Sequence, residues 1–469
     1  MYTSITDAAA ALRSGETTSV DLVRAGYALA DAHDSELGVY LARFDETALA
    51  AAEKADAELA GGVDRGPLHG IPIGVKDIIT TEEGETTAQS LVLDRSWGVG
   101  DAPVVARLRA AGAVITGKLT TMEYAIGMPD VTKPFPLPRN PWNTAHYSGG
   151  SSSGTGGGVA AGFVLGGLGT DTGGSVRWPA AVDGISGMKQ TFGRVPKAGC
   201  VPLGYSYDNI GPMARSAADC AAMLSVMAGH DPRDACSVDR PVDDYLSGLT
   251  GSLDGMRIGL DTLKAHSGEF WDPALDGLLA DAVTALEAAG ATVVEVDLPL
   301  YEELKTITMS GFCAEAYAYH RPDLQSRWPD FAAGTRAAVI DGALISGGDY
   351  VQMQRVRRVG QRLLGELYAD AGIDLIVTPT TSEPAPLFDD MKLADLIPSL
   401  HTPYWNAVGN PAMSVPMGFS AAGLPMGLQL CGKPFDEAAV FAAGHAFQQQ
   451  TDWHTRVPAM ITASSALAA

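Results

Sequence analysis

Two Gly/Ser clusters, YSGGSSSGTGGG from Tyr147 and GLGTDTGGSV from Gly167, flank a small-residue segment, and Ser175 follows Gly173-Gly174 directly. Glycines ahead of a hydroxyl let backbone N–H groups converge on a small volume. Acyl transfer needs such a place, with a nucleophile beside donors aimed at a developing oxyanion. Two blander readings compete. A Gly/Ser run is often a flexible linker, but the flanks Phe163-Val164-Leu165 and Val176-Arg177-Trp178-Pro179 are core-like. A phosphate cradle would end in Gly-Lys-Ser/Thr, and neither cluster does.

Three hydroxyl schemes fit the residue types. Gly150-Ser151-Ser152-Ser153-Gly154 matches the GxSxG nucleophile elbow, but that motif needs a buried strand before it, and Asn140 to Thr144 reads as a turn. Ser186-Gly187-Met188-Lys189 matches Ser-x-x-Lys, without the companion SDN and KTG motifs. The third scheme combines Lys76, Ser151 and Ser175. A serine hydroxyl attacks an amide only if a base takes its proton. Lysine serves only when neutral, which at pH 7 costs about 4–5 kcal/mol from an ordinary pKa. Burial at the end of a core strand lowers that cost. A serine between the two can donate to one partner and accept from the other.

These groups require an α/β framework. Residues 1–60 read as helical, with Ser19 capping a helix through Val20, Leu22, Val23 and Tyr27, and an Ala/Glu-rich helix after Asp45. Ile71 to Val75 reads as a strand ending in Lys76-Asp77, followed by a helix from Pro103 to Ala111, stopped by Gly112, and a strand from Ala113 to Thr116. The layout returns with a strand from Met256 to Leu260 and a helix started by Asp272-Pro273. That helix has an apolar stripe of Leu275, Leu278, Leu279, Ala282 and Leu286. Strands from Ala291 to Leu298 and Ile373 to Val377 complete the alternation, which predicts an α/β protein with a largely buried sheet. Asp231 to Asp244 is the expected surface loop.

Of the 469 residues, 46% are hydrophobic and 19% charged, enough for a sizeable core. A net charge of −23 disfavours nucleic acid and anionic membranes as partners. The N-terminus lacks a secretory layout, and no apolar run is long enough to span a bilayer. Cys200, Cys220, Cys236, Cys313 and Cys431 form no CxxC pair, and the nine histidines show no metal-ligand spacing. The expectation is a cytoplasmic protein with no metal and no cofactor.

The chain resembles the amidase signature family. The resemblance rests on Gly70-Ile71-Pro72-Ile73-Gly74-Val75-Lys76-Asp77, on Gly149 to Gly154, and on Gly169-Thr170-Asp171-Thr172-Gly173-Gly174-Ser175-Val176-Arg177. Asn406 with Gly409-Asn410-Pro411-Ala412, and Gly423-Leu424-Pro425 onward to Gln429, extend it. It is dense from about Leu68 to Pro212 and from Thr402 to Gly432, and weak between. The 75 positions from Lys76 to Ser151 and the 24 from Ser151 to Ser175 resemble the family's spacing. The resemblance implies a three-layer α/β/α sandwich around a large mixed, twisted sheet. It implies one amidase domain over 1–469, with a helical segment (1–65), a signature core (66–215) and a remainder carrying sheet and pocket elements (216–469). It makes Ser175 the nucleophile, Ser151 the relay after a cis peptide bond, and Lys76 the base. The N–H groups of Thr172, Gly173, Gly174 and Ser175 become the oxyanion donors. Ser152 and Ser153 are expected as hydrogen-bond supports, and Asp171 and Arg177 as a structural ion pair bracing the loop.

The reaction implied by the resemblance is hydrolysis of a C–N bond through an acyl-enzyme. The expected pocket residues are Met122, Tyr124, Ile126, Trp178, Tyr404 and Trp405, with Met128, Phe135, Trp142 and Tyr147 as further candidates. Together they suggest an apolar or aryl acyl group, and no arginine beside them offers a carboxylate clamp. The expected partner is a small-molecule amide or acyl hydrazide, with esters, carbamates and a homodimer left open. The family's glutaminyl-tRNA-forming subunits share a tyrosine-rich segment where this chain has Ile345 to Gln352 (ISGGDYVQ), which with the acidic balance favours a stand-alone hydrolase. A catalytically silent binding protein is the remaining alternative.

Overall fold

Thirteen strands form in the computed structural model, which describes residues 2–462. They are β1 (Tyr40–Arg43), β2 (Pro72–Lys76), β3 (Val114–Leu119), β4 (Arg139–Asn140), β5 (Asn143–Tyr147), β6 (Gly166–Asp171) and β7 (Ser186–Lys189). Then come β8 (Asn209–Ala214), β9 (Arg257–Leu260), β10 (Thr292–Glu295), β11 (Leu375–Pro379), β12 (Ala412–Phe419) and β13 (Pro425–Gly432). Eleven make one mixed sheet in the order β1-β3-β2-β6-β8-β7-β12-β13-β11-β9-β10. The β3-β2-β6 and β11-β9-β10 runs are parallel, and the strands between them are antiparallel.

Alternation along the strands divides the core into layers. Ile115 packs with the helices Pro103–Ala110 and Ala217–Met227, whereas its neighbour Val114 packs with Ser19–Leu37 and Asp45–Ala60. On β11, Leu375 and Val377 join the first cluster and Ile376 a third. Successive side chains of a strand point to opposite faces, so helices cover both. The sheet draws strands from residues 40–43, from 72–214 and from 257–432.

Several local expectations shift. Thr18, not Ser19, caps the first long helix, its hydroxyl accepting the Asp21 N–H at 3.0 Å. The Ser19 hydroxyl is drawn inward by the Gly70 carbonyl at 2.7 Å. Asp272 does accept the Ala274 N–H at 2.8 Å, with Pro273 already in helical conformation. The stretch expected as a turn is a hairpin, β4 pairing with β5 outside the main sheet. Exposed positions such as Asn143 and Ala145 carry no apolar alternation, which hid the strand from the sequence. A ribbon outside the main sheet still supplies no elbow strand for GxSxG. Ser186 to Lys189 is β7, a central strand.

Candidate active site

Lys76 ends β2 between two parallel neighbours, and its ammonium has nowhere to go but into the protein. Its Nζ reaches Ser151 Oγ at 2.8 Å, Ser152 Oγ at 3.0 Å and Thr170 Oγ1 at 2.8 Å, all buried. Burial pulls the lysine down to about 7, against the opposing pull of Cys200, Asp171 and Asp208. Proton counting then sets Ser152 apart from the other two. Ser152 Oγ donates to the Thr170 carbonyl at 3.2 Å, so toward Lys76 it only accepts. A neutral amine has two N–H donors and one lone pair, so one of the remaining hydroxyls must donate to it. Ser151 and Thr170, neither hydroxyl having a further acceptor among the described residues, are both free to do so, and of the two only Ser151 lines the cavity with Ser175.

Ser151 follows a cis peptide bond from Gly150. Directly after it the chain enters the helix Ser153–Ala160, whose Ser153 Oγ pairs with the Tyr147 hydroxyl at 2.7 Å. Ser175 stands between β6 and the helix Arg177–Asp183, half-buried. Among the described residues its hydroxyl makes no hydrogen bond, and the Ser151–Ser175 step is open. Both serines line one cavity of about 330 Å3.

The loop carrying Ser175 is held by a buried ion pair. Arg177 Nε and Nη2 donate to the two Asp171 carboxylate oxygens at 2.9 Å each. The guanidinium also reaches Gln429 Oε1 at 2.7 Å, Asn406 Oδ1 at 2.7 Å and the Thr402 carbonyl at 3.0 Å. Burial alone would raise Asp171, but Arg177 overrides it and holds the carboxyl at about 2. Asp171 Oδ1 also takes the Gly174 N–H at 2.9 Å, which removes Gly174 from the expected oxyanion donors. The N–H groups of Thr172, Gly173 and Ser175 have no protein acceptor among the described residues. Gly174 itself has φ +127°, and a Cβ there would run into the Thr402 side chain.

Met122, Ile126 and Trp178 line the cavity as expected; Tyr124, Tyr404 and Trp405 do not. Tyr124 is buried against His320, ring centroids 4.2 Å apart. Tyr404 stacks on Tyr301 at 5.8 Å and Trp405 packs edge-on to Tyr404, all in core. Met128, Phe135, Trp142 and Tyr147 also stay out of the lining; the Trp142 indole donates to the Asp183 carbonyl at 2.8 Å. Much of the rest of the wall comes from helices that the sequence did not single out: Met309, Phe312 and Cys313 from Tyr301–Ser326, Ala338 and Asp341 from Ala333–Asp341, and Leu396 from Leu393–Ser399. No lysine or arginine lines it among the described residues. Thr170, Thr402 and Asp208 were missed as well. Thr170 sat within a quoted motif, but only the β2–β6 pairing brings it to Lys76.

Comparison with known proteins fixes the lineage. The family model for Amidase matches residues 21–441. The chain belongs to the amidase signature family. Amide C–N cleavage is thus the chemistry of its family. Among curated relatives, this amidase-family chain is 40% identical to the A-type subunit of a glutamyl-tRNA(Gln) amidotransferase from Chloroflexus aggregans, over 97% of this chain and 98% of that one. Among solved structures it is similar to a peptide amidase from Stenotrophomonas maltophilia, with 31% identity, TM-score 0.83 and 96% of each chain covered. It is also similar to a protein from a vestigial complex tied to the origins of an s-triazine catabolic enzyme, with 30% identity, TM-score 0.87, and 95% of this chain and 98% of that one covered. No described helix is long and apolar enough to cross a membrane.

Proposed function

We propose that this chain is a stand-alone hydrolase of carboxylic amide-type C–N bonds, acyl hydrazides included, with an apolar or aryl acyl donor. Ser175 Oγ attacks the carbonyl carbon as its proton passes through Ser151 to neutral Lys76. Thr172, Gly173 and Ser175 N–H groups receive the oxyanion. The tetrahedral adduct collapses, the C–N bond breaks, and the amine or hydrazine leaves with the proton held by Lys76. Water, deprotonated by the same relay, then cleaves the Ser175 ester and releases the acid. Asp171, Arg177 and Ser152 hold the frame. The observation that carries the reading is a buried, easily neutralised Lys76 in a cage of hydroxyls that opens onto an apolar cavity.

A second reading, as part of an amidotransferase, is favoured by the 40% identity along nearly the whole chain. Against it stands the cavity lining, which offers no cation to a donor with a free α-carboxylate. Purified protein and Ser175→Ala are incubated with aryl and aliphatic amides, esters, hydrazides and glutamine, and products are followed by mass spectrometry. Turnover of an apolar amide or hydrazide that vanishes in the variant supports the hydrolase. Turnover of glutamine alone would favour the second reading. No turnover, together with no labelling of Ser175 by a fluorophosphonate, would sink both.

A further inference from the structure

The cavity wall and its mouth carry different chemistry. Around Ser175 the wall is apolar, built from Met122, Ile126, Trp178, Met309 and Phe312. The one charged residue in the lining, among the described residues, is Asp341. It is exposed, and its carboxylate makes no ion pair or hydrogen bond among them. It is also the last residue of the nine-residue helix Ala333–Asp341, where the helix dipole is negative and no basic residue stands in the last turn. A carboxylate at a helix C-terminus is disfavoured locally, so the two negative potentials add instead of cancelling. The helix's own cation, Arg336, is turned to the Trp328 and Phe331 carbonyls and lies over the Trp328 ring at 5.6 Å. Lys392 precedes the lining residue Leu393 without lining the cavity itself. Cys313, another lining residue, has its thiol pushed up to about 12, first by burial and then by Asp341, which places that charge against the cavity.

A single sign of charge at the mouth of a low-dielectric cleft focuses the field along it. Resting on the hydrolase reading above, we propose that Asp341 is a specificity determinant: the site selects substrates whose apolar acyl group ends in a cation, an ammonium or guanidinium, and turns away those ending in a carboxylate. The apolar chain fills the wall, and the cation meets Asp341 at the mouth. An acyl donor with a cationic terminus thereby replaces the counter-ion that the protein does not supply.

The test uses three p-nitroanilides with seven-atom chains, of 6-aminohexanoic, heptanoic and pimelic acid, which end in ammonium, methyl and carboxylate. Wild type is expected to rank them in that order by kcat/KM. Asp341→Asn is expected to reduce the ammonium-to-methyl ratio by about two- to fivefold, the range of an exposed pair. Asp341→Lys is expected to reverse the ammonium and carboxylate ranks, and rising salt to compress all ratios. Alkylation of Cys313 by iodoacetamide should accelerate in Asp341→Asn, a readout independent of turnover. Equal ratios in wild type and Asp341→Asn would overturn the proposal. Calorimetric binding of the three compounds to Ser175→Ala reads the same ranking without chemistry. Absent hydrolysis with a preserved binding rank would therefore count against the hydrolase reading and not against Asp341, whereas a flat binding rank would count against Asp341.

Discussion

The Thr172 hydroxyl donates a 2.6 Å hydrogen bond to the Asp208 carboxylate, and both residues are buried. The same carboxylate accepts the N–H groups of Gly204 at 3.0 Å and Leu203 at 3.1 Å. Leu203 lines the cavity, so Asp208 fixes the loop that leads to Ser175 and the cavity wall to one another. Burial raises this carboxyl to about 6, against the pull of its three donors.

Asp208→Asn breaks that acceptor set at one oxygen. Displacing the loop by a fraction of an ångström is expected to cost about tenfold or more in kcat, with KM changing less. A second effect distinguishes positioning from mere stability. Ionised Asp208 raises Lys76, so its removal should move the acid limb of activity to lower pH. The pH profile of kcat/KM checks this, and an unmoved limb with only a lowered Tm would leave Asp208 a structural residue.

In the proposed mechanism Lys76 sets the limb itself. Held down to about 7 chiefly by burial, it is protonated below that pH and free to accept a proton above it. Activity in wild type is therefore expected to rise through about pH 7, not through the carboxylate range. Lys76→Met should remove about 10²–10⁴-fold of kcat, the usual worth of a general base. Stopped-flow hydrolysis from pH 5 to 9 tests both; an acid limb near 4 would assign the base to a carboxylate.

The residues that gather at the candidate site were more legible in the sequence than the walls of its cavity. Glycine-rich turns, a lysine at a strand end and ordered motifs are local signals, and Lys76, Ser151 and Ser175 meet around one site. Helix and strand starts were legible where caps and prolines marked them, as at Asp272 and Pro103. Cavity walls are not local. Phe312 and Leu396 are ordinary apolar helix residues, and only tertiary packing decides that they face a void while Tyr404 and Trp405 face core. The Gly174 N–H was misassigned for the same reason: which carboxylate captures it depends on where the Arg177 fork turns Asp171.

The Asp171–Arg177 pair should report as stability before it reports as activity. Removing one partner leaves an uncompensated buried charge, so Asp171→Asn or Arg177→Met is expected to cost about 3–5 kcal/mol in urea unfolding. Arg177→Lys should not rescue, because one ammonium cannot replace a fork reaching Asp171, Gln429 and Asn406. The sign with pH follows from the depressed carboxyl. Its pKa falls from 3.8 to about 2 in the fold, so its stabilisation is present above about pH 4 and lost as pH falls toward 2. In Asp171→Asn that acid-side loss should disappear.

Gly173 and Gly174 look interchangeable in sequence and are not in structure. At Gly173 an added Cβ would meet Phe312 Cε1 at 3.3 Å, a contact that a ring edge relieves by moving a few tenths of an ångström. At Gly174 the backbone has φ +127°, and the Cβ would strike Thr402, whose hydroxyl holds the Gly173 carbonyl at 2.7 Å. Two costs combine there: a side chain in a region that L-residues avoid, about 1–3 kcal/mol, and the loss of the Thr402 clamp. Gly173→Ala is therefore expected to keep kcat/KM within about tenfold of wild type and Gly174→Ala to lose about 10²-fold or more. Near-UV circular dichroism should stay native-like in both, because the strain is confined to one loop. Activity within about tenfold of wild type in both variants would mean that the turn tolerates alanine at Gly174 and that Thr402 does not position it.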